Sequence, residues 1–264
     1  MKYCLTLILS VLLLTSCKKD KEETTTEYTT TTEKPAVLTF TDKVYSKKTT
    51  LAGPEPRTYV DINVPDASGI PVAGDSINNK IFRTVRSIVY FGEKPTDATS
   101  YKELMTSFIE SYDELAKKFP KDAMAWEAKI KGTVDYKTDS IIGIKLNNYM
   151  FTGGAHGYAG DRSLLFNAKT GRSLQYSDIF KDEKAFTAFA EKKFRAKYKI
   201  PAGKSINSTG LMFEENKFVL PQNIFFKENG LLLFYNAYEV AAYAEQQKEV
   251  LIPYSEADAY LKMK

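Results

Sequence analysis

The chain has 264 residues, of which 37 are Lys or Arg and 33 are Asp or Glu, so its net charge at pH 7 is only +4. This length suits one domain or two closely packed lobes, and the nearly balanced charge, without an aromatic-plus-basic motif, excludes a typical nucleic-acid-binding protein. A single histidine, His156, excludes most histidine-based metal sites, while a site built only from carboxylates remains open.

The first 17 residues have the pattern of a bacterial lipoprotein signal. Lys2 precedes an apolar run over residues 5–14, and small residues then lead to Cys17. Ten helical residues rise only about 15 Å, half the thickness of a bilayer core, so this run is too short to span a membrane. We predict a signal peptide over residues 1–16 and a Cys17 acylated with fatty acids such as palmitate. An ordinary secretory signal with an incidental cysteine is the alternative.

Residues 17–36 are predicted to form a disordered tether behind the lipid. The segment is rich in Thr, Lys and Glu and has no apolar periodicity. Its charged start resembles, in composition, the signals that move Bacteroidota-type lipoproteins to the outer leaflet. We therefore expect a cell-envelope protein anchored in the outer membrane and possibly displayed on the cell surface. A solvated spacer without any localisation signal is the alternative.

The segment 37–125 is predicted to be an N-terminal α+β lobe. Strands are expected at 42–47 and 57–64, joined by a turn at 53–56 that contains Gly and Pro. Apolar residues then recur every three or four positions from Ile77 to Ile88 and from Tyr101 to Phe119, which predicts two helices. The second helix should begin at a capping box formed by Ser100 and Glu103.

The segment 126–264 is predicted to be a C-terminal α+β lobe. Period-2 alternation begins after Trp126, and further strands are expected at 140–152, 163–168, 231–235 and 248–253. One helix is predicted at 182–198, and a short one should open at Ser255. Because helices and strands do not alternate regularly, the fold class should be α+β, with antiparallel β-sheet, packed helices and two intimately associated lobes.

Several motifs in the second half carry a family resemblance. They are a Gly-rich connection at 149–157, the Asn167-x-x-Thr170-Gly171-Arg172 turn, the 177–180 segment, and the run from Asn229 to Ala244 that contains Tyr235-Asn236-x-Tyr238-Glu239. In this order the set resembles the extracytoplasmic domain family of RsiV-type anti-sigma factors, which bind lysozyme. The same family is found ahead of some peptidoglycan deacetylase domains. The resemblance extends from about residue 148 to 260, and 40–125 resembles the lobe that usually precedes it.

The resemblance implies an α+β binding or sensing domain outside the cell, near peptidoglycan or proteins that attack it. It implies no catalytic residue, because the metal-dependent chemistry of those deacetylases belongs to a separate downstream domain, which we do not expect here. The sigma-binding segment and transmembrane helix of the anti-sigma factors are likewise not expected. We therefore predict a non-enzymatic, lipid-anchored binding protein that needs no cofactor.

The predicted ligand-binding surface combines the Gly-rich connection with the tyrosines that follow Gly230. Its residues are Gly153, Gly154, His156, Gly157, Tyr235, Tyr238 and Tyr243. Tyrosines suit protein and sugar surfaces because they add contact area at small entropic cost, although packing in the core is the alternative for each of them. His156 could instead fix a tight hairpin. A catalytic triad with Asp161 and Ser163 would require a geometry that spacing alone does not show.

The predicted partners are lysozyme-like proteins or peptidoglycan glycans, captured without cleavage. Two other functions remain open. A hydrolase of envelope sugars could work with carboxylates alone, although the adjacent Glu214 and Glu215 would form a poor acid-base pair. A structural or assembly lipoprotein would instead bind another envelope protein.

Overall fold

In the computed structural model of the protein, residues 36–53 and 55–264 are described. The predicted signal peptide, the predicted lipidation site Cys17 and nearly all of the predicted tether lie outside these residues. Residues 36–264 form one compact unit.

The described residues form eight strands and five helices, which confirms the α+β class. The strands are β1 Thr39–Lys48, β2 Tyr59–Ser68, β3 Glu127–Lys137, β4 Ile141–Phe151, β5 Tyr158–Asn167, β6 Asn223–Lys227, β7 Gly230–Tyr235 and β8 Lys248–Pro253. The helices are α1 Pro71–Arg86, α2 Tyr101–Lys118, α3 Tyr176–Ile179, α4 Glu183–Lys197 and α5 Tyr254–Ala257.

The strands form two sheets. The first has the order β1-β2-β3-β4-β5 and the second the order β6-β7-β8. All neighbouring strands are antiparallel except β2 and β3, which are parallel. The predicted antiparallel arrangement is therefore correct for all but this pair. The exception follows from the connection, because α1 and α2 carry the chain back across the sheet, as a parallel pair requires.

Both predicted helices of the first half form, although α1 begins at Pro71, six residues before Ile77, and ends before Ile88. α1 buries Ile77, Ile81 and Val85, which follow the predicted helical spacing. At the start of α2, the Ser100 side chain accepts a hydrogen bond from the Glu103 backbone N–H at 3.2 Å. The Glu103 carboxylate accepts from the Thr99 backbone N–H at 2.8 Å. The capping interaction is thus confirmed, with its return hydrogen bond made one residue earlier than in the usual box.

Two hydrophobic cores lie one after the other along the chain. The first lies between the five-stranded sheet and helices α1 and α2, and it includes the buried Trp126. The second packs α4 against the three-stranded sheet, and it is rich in aromatic rings. Most core residues before about residue 167 pack in the first core, and those after it pack in the second. The predicted lobe boundary at 125/126 lies between β2 and β3 in the chain, and these two strands pair in the first sheet.

Several elements differ from the sequence-based prediction. β6 and α3 were not predicted, and β5 begins at Tyr158, five residues before the predicted strand. α5 begins at Tyr254, directly after Pro253, so Ser255 lies inside the helix rather than capping it. Pro253 fits this position because proline sets a backbone angle that suits the start of a helix.

The outer edge of β5 is closed by two buried asparagine side chains from the second core. The Asp161 N–H donates to Asn236 Oδ1 at 2.7 Å, and Asn236 Nδ2–H donates to the Asp161 carbonyl at 3.0 Å. Next to it, the Ser163 N–H donates to Asn223 Oδ1 at 3.0 Å. These amides pair with backbone groups of β5 that a sixth strand would otherwise satisfy, and they link the second core to the first.

Replacing Asn236 tests this closure. Asn236→Ala leaves the buried Asp161 N–H without a partner and leaves its carbonyl with Arg162 as the remaining donor, so we expect the free energy of unfolding to fall by about 1 to 3 kcal/mol. Urea unfolding followed by circular dichroism measures the change. The control is Asn79→Ala, an exposed asparagine on α1, which should change the free energy by less than about 0.5 kcal/mol. Equal effects of the two variants would contradict a stabilising role for the Asn236 amide.

Candidate functional site

The Gly-rich connection forms the loop between β4 and β5. Gly153 has φ +102° and Gly154 has φ +90°, values that side chains with a Cβ rarely adopt. No heavy atom lies within 4 Å of a Cβ built at either position. These two glycines are therefore required by the backbone path and not by close contact with another part of the protein.

Gly157, at the end of the same loop, has a different reason to be glycine. It is buried, and a Cβ at this position would lie 2.4 Å from the hydroxyl oxygen of Tyr149 and 2.5 Å from the adjoining ring carbon. The backbone thus lies flat against the Tyr149 ring. This contact fixes where the loop returns to β5, directly after His156.

Three side chains from distant parts of the sequence stack on one another at this end of the molecule. The His156 and Tyr243 rings are 4.2 Å apart between centroids and nearly parallel, at 9°. The Tyr238 ring stacks in turn on that of Tyr243, with centroids 5.2 Å apart and an angle of 27° between the ring planes. We call His156, Tyr243 and Tyr238 the ring stack. His156 is exposed, Tyr243 is half-buried and Tyr238 is 58% exposed.

Hydrogen bonds to one carbonyl hold the ring stack to the loop. His156 Nδ1–H donates to the Gly157 carbonyl at 2.9 Å, and the Tyr243 hydroxyl donates to the same oxygen at 3.3 Å. Because a carbonyl only accepts, the proton must be on Nδ1, which leaves Nε2 of neutral His156 free to accept. This bond joins His156 to the next residue along the loop, and the His156 ring presents a face beside Tyr243.

Tyr238 reaches this surface through a strained turn. Its φ is +68°, a left-handed conformation that costs a residue other than glycine on the order of 1 kcal/mol. The turn is held by Glu239, whose carboxylate accepts from the Asn236 N–H at 2.8 Å and whose own N–H donates to the Asn236 carbonyl at 3.1 Å. The fold therefore maintains an unfavourable backbone angle at a residue whose ring points to solvent.

Tyr235 does not join this surface. Its side chain is 0% exposed and packs in the second core against Phe194, Phe213 and Phe218. Its hydroxyl donates to the Val219 carbonyl at 2.6 Å, and burial raises the pKa of this hydroxyl far above its usual range. The prediction that Tyr235 contacts a ligand is corrected here, since a side chain inside the core does not meet one.

The residues of the triad alternative are not assembled. The Ser163 hydroxyl donates to the Ile224 carbonyl, and the Asp161 carboxylate binds Lys145 at 2.6 Å and Asn147 at 2.8 Å. His156 is engaged with Gly157 and Tyr243. Each of the three side chains has other partners, so no nucleophile and base face each other here.

Most of the motif residues that suggested a family have structural roles. Asn167 Oδ1 accepts from the backbone N–H groups of Lys169 and Thr170, both at 3.0 Å, which closes the turn after β5. Arg172 donates twice to the Asp178 carboxylate, at 2.9 and 2.7 Å. This guanidinium and the Gln175 backbone N–H lower the pKa of Asp178 to about 2.

Arg162 and Asn148 were not predicted as site residues, and they line a cavity of about 550 Å³ between β4, β5 and the segment that follows α1. Arg162 alternates with Leu164 and Phe166 along β5, so it occupies a position where the core-facing side of the strand is otherwise apolar. The signal that could have revealed this site is a charged residue at a strand position whose side chain is on the same face as the buried apolar residues.

Two further properties of the described part of the chain bear on function. Within residues 36–53 and 55–264, no group of three or more His, Cys, Asp or Glu side chains is placed to hold a metal ion. None of the helices in these ranges combines the length and apolar character needed to cross a membrane.

The structure defines a mixed α+β domain with an aromatic surface site, and comparison with known families identifies its parts. Residues 54–159 match the family described as "Deacetylase PdaC", and residues 177–255 match the "Protein of unknown function (DUF3298)" family. The chain thus contains a segment similar to the PdaC family, followed by a segment similar to the DUF3298 family. This confirms the resemblance predicted from the sequence. A search of curated proteins gave no match.

Solved structures show the same fold. A DUF3298 family member from Bacteroides fragilis superimposes with a TM-score of 0.67 at 21% identity, covering 86% of this chain and 95% of that one. A DUF3298 family protein from Pseudomonas aeruginosa gives a TM-score of 0.58 at 20% identity, covering 87% of this chain and 95% of that one. At this level of identity the likeness extends to the fold and not to the site.

The Arg172–Asp178 pair gives a pH-dependent prediction. The pKa of Asp178 falls from 3.8 to about 2 on folding, so the pair stabilises the fold above about pH 4, and this contribution is lost as the pH falls toward 2. Asp178→Asn should therefore lower the urea midpoint at pH 6 and show a weaker dependence on pH between 4 and 2 than the unchanged chain. Arg172→Met is the matched variant, since it removes the same attraction. Unchanged pH dependence in both variants would contradict the assignment.

Proposed function

We propose that this protein is a lipid-anchored cell-envelope protein that binds lysozyme-like proteins or peptidoglycan glycans through the ring stack, without catalysis. The observation that carries the proposal is the exposed stack of His156, Tyr243 and Tyr238. Aromatic rings of this kind offer a large contact area to proteins and to the apolar faces of sugars. The PdaC and DUF3298 regions support an association with the cell envelope by family analogy alone.

Rigidity supports a role for the stack in binding. Its rings are fixed to one another and to the Gly157 carbonyl, and the Tyr238 turn is held by Glu239. A surface that is already ordered loses little entropy when a ligand arrives, so a larger part of the contact energy appears as affinity. The strain at Tyr238 supports the same conclusion, because strained backbone is often found at functional sites.

The proposal assigns no catalytic residue. His156, the single histidine, donates through Nδ1 to a backbone carbonyl and is not paired with a nucleophile. Glu214 and Glu215, which the carboxylate-hydrolase alternative could use, are both exposed in one short turn, and Glu215 pairs with Lys217. No arrangement around the ring stack favours hydrolysis over capture.

Calorimetry with the full chain tests the binding function. A panel of lysozymes and defined peptidoglycan fragments is titrated, and fragment cleavage is followed in the same samples. We expect saturable binding without cleavage. Alanine at His156, Tyr238 or Tyr243 should lower the affinity about tenfold or more, the usual range for a buried aromatic contact at an interface. Phe119→Ala, an exposed ring outside the stack, is the control and should leave the affinity unchanged.

The possible results separate the three candidate functions. Binding that survives alanine at all three stack positions would contradict the assigned surface. Turnover that disappears on replacing a single Asp or Glu would favour the hydrolase. If neither binding nor cleavage is found, crosslinking in cells that recovers one dominant protein partner would favour an assembly lipoprotein.

The lipid anchor is tested separately at Cys17. Cys17→Ser removes the thiol that would carry the lipid, so the protein should move from the membrane fraction to the soluble fraction after cell lysis. Mass spectrometry of the amino-terminal peptide should show added acyl chains only when Cys17 is present. Cys4→Ser, which lies inside the predicted signal peptide, is the matched control and should leave the distribution unchanged. Membrane association that persists in Cys17→Ser would contradict the anchor.

A further inference from the structure

A second candidate site lies beside the ring stack, in the cleft between β5 and the segment that follows α1. The cleft has a volume of about 550 Å³, within the usual range for small-ligand sites. Tyr90, Phe91 and Tyr158 supply rings to its walls, and Asn148 and Arg162 supply polar groups. Tyr158 and Arg162 also line a smaller cavity of about 260 Å³ that leads toward Tyr238.

The strand register places the two polar groups together. Arg162 pairs with Leu146 across β4 and β5, and Gly160 pairs with Asn148. Asn148 and Arg162 are therefore diagonal neighbours on one face of the sheet, the face that elsewhere packs into the first core. Gly160, directly opposite Asn148 on β5, adds no side chain of its own, and the Tyr158 ring lies over it.

Asn148 has an unmet hydrogen-bonding requirement. The residue is only 2% exposed, and its Oδ1 has no partner among the described residues. A buried amide oxygen without a donor is destabilising, and such groups in natural proteins usually call for a specific explanation. Asn148 lines the cleft, so a turn of its side-chain amide would bring Oδ1 to a ligand N–H there and satisfy it.

Most of the N–H donors of the Arg162 guanidinium have no partner among the described residues. Its Nη1 donates to the Asp161 carbonyl at 3.1 Å, and no carboxylate of the described residues lies within ion-pair distance of it. The Asp161 carboxylate next to it pairs with Lys145 and Asn147, and Glu239, which lines the smaller cavity, already accepts from the Asn236 N–H. An anion would therefore meet Arg162 from the larger cavity, on the side of Asn148 and away from Glu239.

We propose that this cleft binds an N-acyl amino-acid carboxylate, such as the carboxyl-terminal residue of a peptide, with the carboxylate on Arg162 and the adjacent amide N–H on Asn148. The planar guanidinium suits a carboxylate in a two-pronged hydrogen bond. The rings of Tyr90, Phe91 and Tyr158 accommodate the apolar part of the ligand. A phosphate would pair with Arg162 but offers no N–H to Asn148 Oδ1. This site goes beyond the proposed capture function and does not depend on the ring stack.

The test uses the full chain and N-acetyl-alanine as the probe, in both enantiomers. Binding is followed by NMR of the Arg162 Nε–H and the Asn148 side-chain amide. For a probe of this size we expect a dissociation constant on the order of 1 mM. N-acetyl-alaninamide, which lacks the carboxylate, and inorganic phosphate, which lacks the amide N–H, should each bind at least about tenfold more weakly.

Two variants assign the contacts. Arg162→Gln should weaken the probe about tenfold or more, whereas Arg83→Gln, an exposed arginine on α1, should leave it unchanged. Asn148→Leu should weaken the probe several-fold while leaving the thermal midpoint equal or higher, because it replaces an unsatisfied buried amide with an apolar group. A residue kept only for stability would lower the midpoint instead.

Three results would overturn the proposal. They are the absence of saturable binding by either enantiomer, binding of the amide or phosphate as tight as that of the carboxylate probe, and binding that shifts neither the Arg162 nor the Asn148 signal. His156→Ala separates this site from the proposed function, since it should weaken the macromolecular ligand and spare the probe. Arg162→Gln should do the reverse.

Discussion

The hydrogen bonds along the outer edge of β5 are the interaction on which the arrangement of both cores and of the ring stack depends. An edge strand has backbone donors and acceptors on one side that must be satisfied once they are buried. Here Asn236 and Asn223 satisfy the groups of Asp161 and Ser163, and farther along the strand the Leu174 N–H donates to the Leu165 carbonyl at 2.8 Å. The second core is therefore joined to the first by backbone pairing at a strand edge, in addition to apolar contact.

The same interaction places the ring stack. Asn236 is two residues before Tyr238, so the amide that pairs with β5 also anchors the turn that exposes this tyrosine. At the other end of the stack, His156 belongs to the loop that leads into β5. Both ends of the stack are thus positioned by β5. The inward face of β5 carries Arg162 and borders the cleft, so the same strand supports both candidate sites, which use different side chains.

The sequence predicted those parts of the fold that depend on local periodicity. α1, α2, α4 and β3 each have a repeating apolar pattern, and their predicted positions agree with the structure to within a few residues, except that α1 begins six residues early. β6 was missed because its five residues are buried nearly throughout and show no alternation. The parallel pairing of β2 and β3 was missed because an alternating pattern states which face is buried but not in which direction the neighbouring strand runs.

The site was only partly predictable for a related reason. His156 and Tyr243 are far apart in the sequence, and only the closed edge of β5 brings their rings within 4.2 Å. Tyr235 and Tyr238 looked alike as members of one motif, yet a strand position placed the first in the core and a left-handed turn placed the second in solvent. Arg162 stands out in the sequence as a charge among apolar positions of β5, but its place beside Asn148 depends on register, burial and an unpaired oxygen, none of which a single sequence contains.

The wall of the cleft is also the environment of the single tryptophan. Phe91 lines the cleft and is 48% exposed, while its ring lies 4.3 Å from that of the buried Trp126. Phe108 and Tyr112 surround the rest of the indole at 5.6 Å each, within the rigid interface of α2 and the sheet. Of the four rings in this cluster, Phe91 alone combines exposure with a place in the cleft wall. The indole therefore carries an optical signal that depends on how the cleft wall is positioned, and the protein has a built-in fluorescent reporter with no second tryptophan to obscure it.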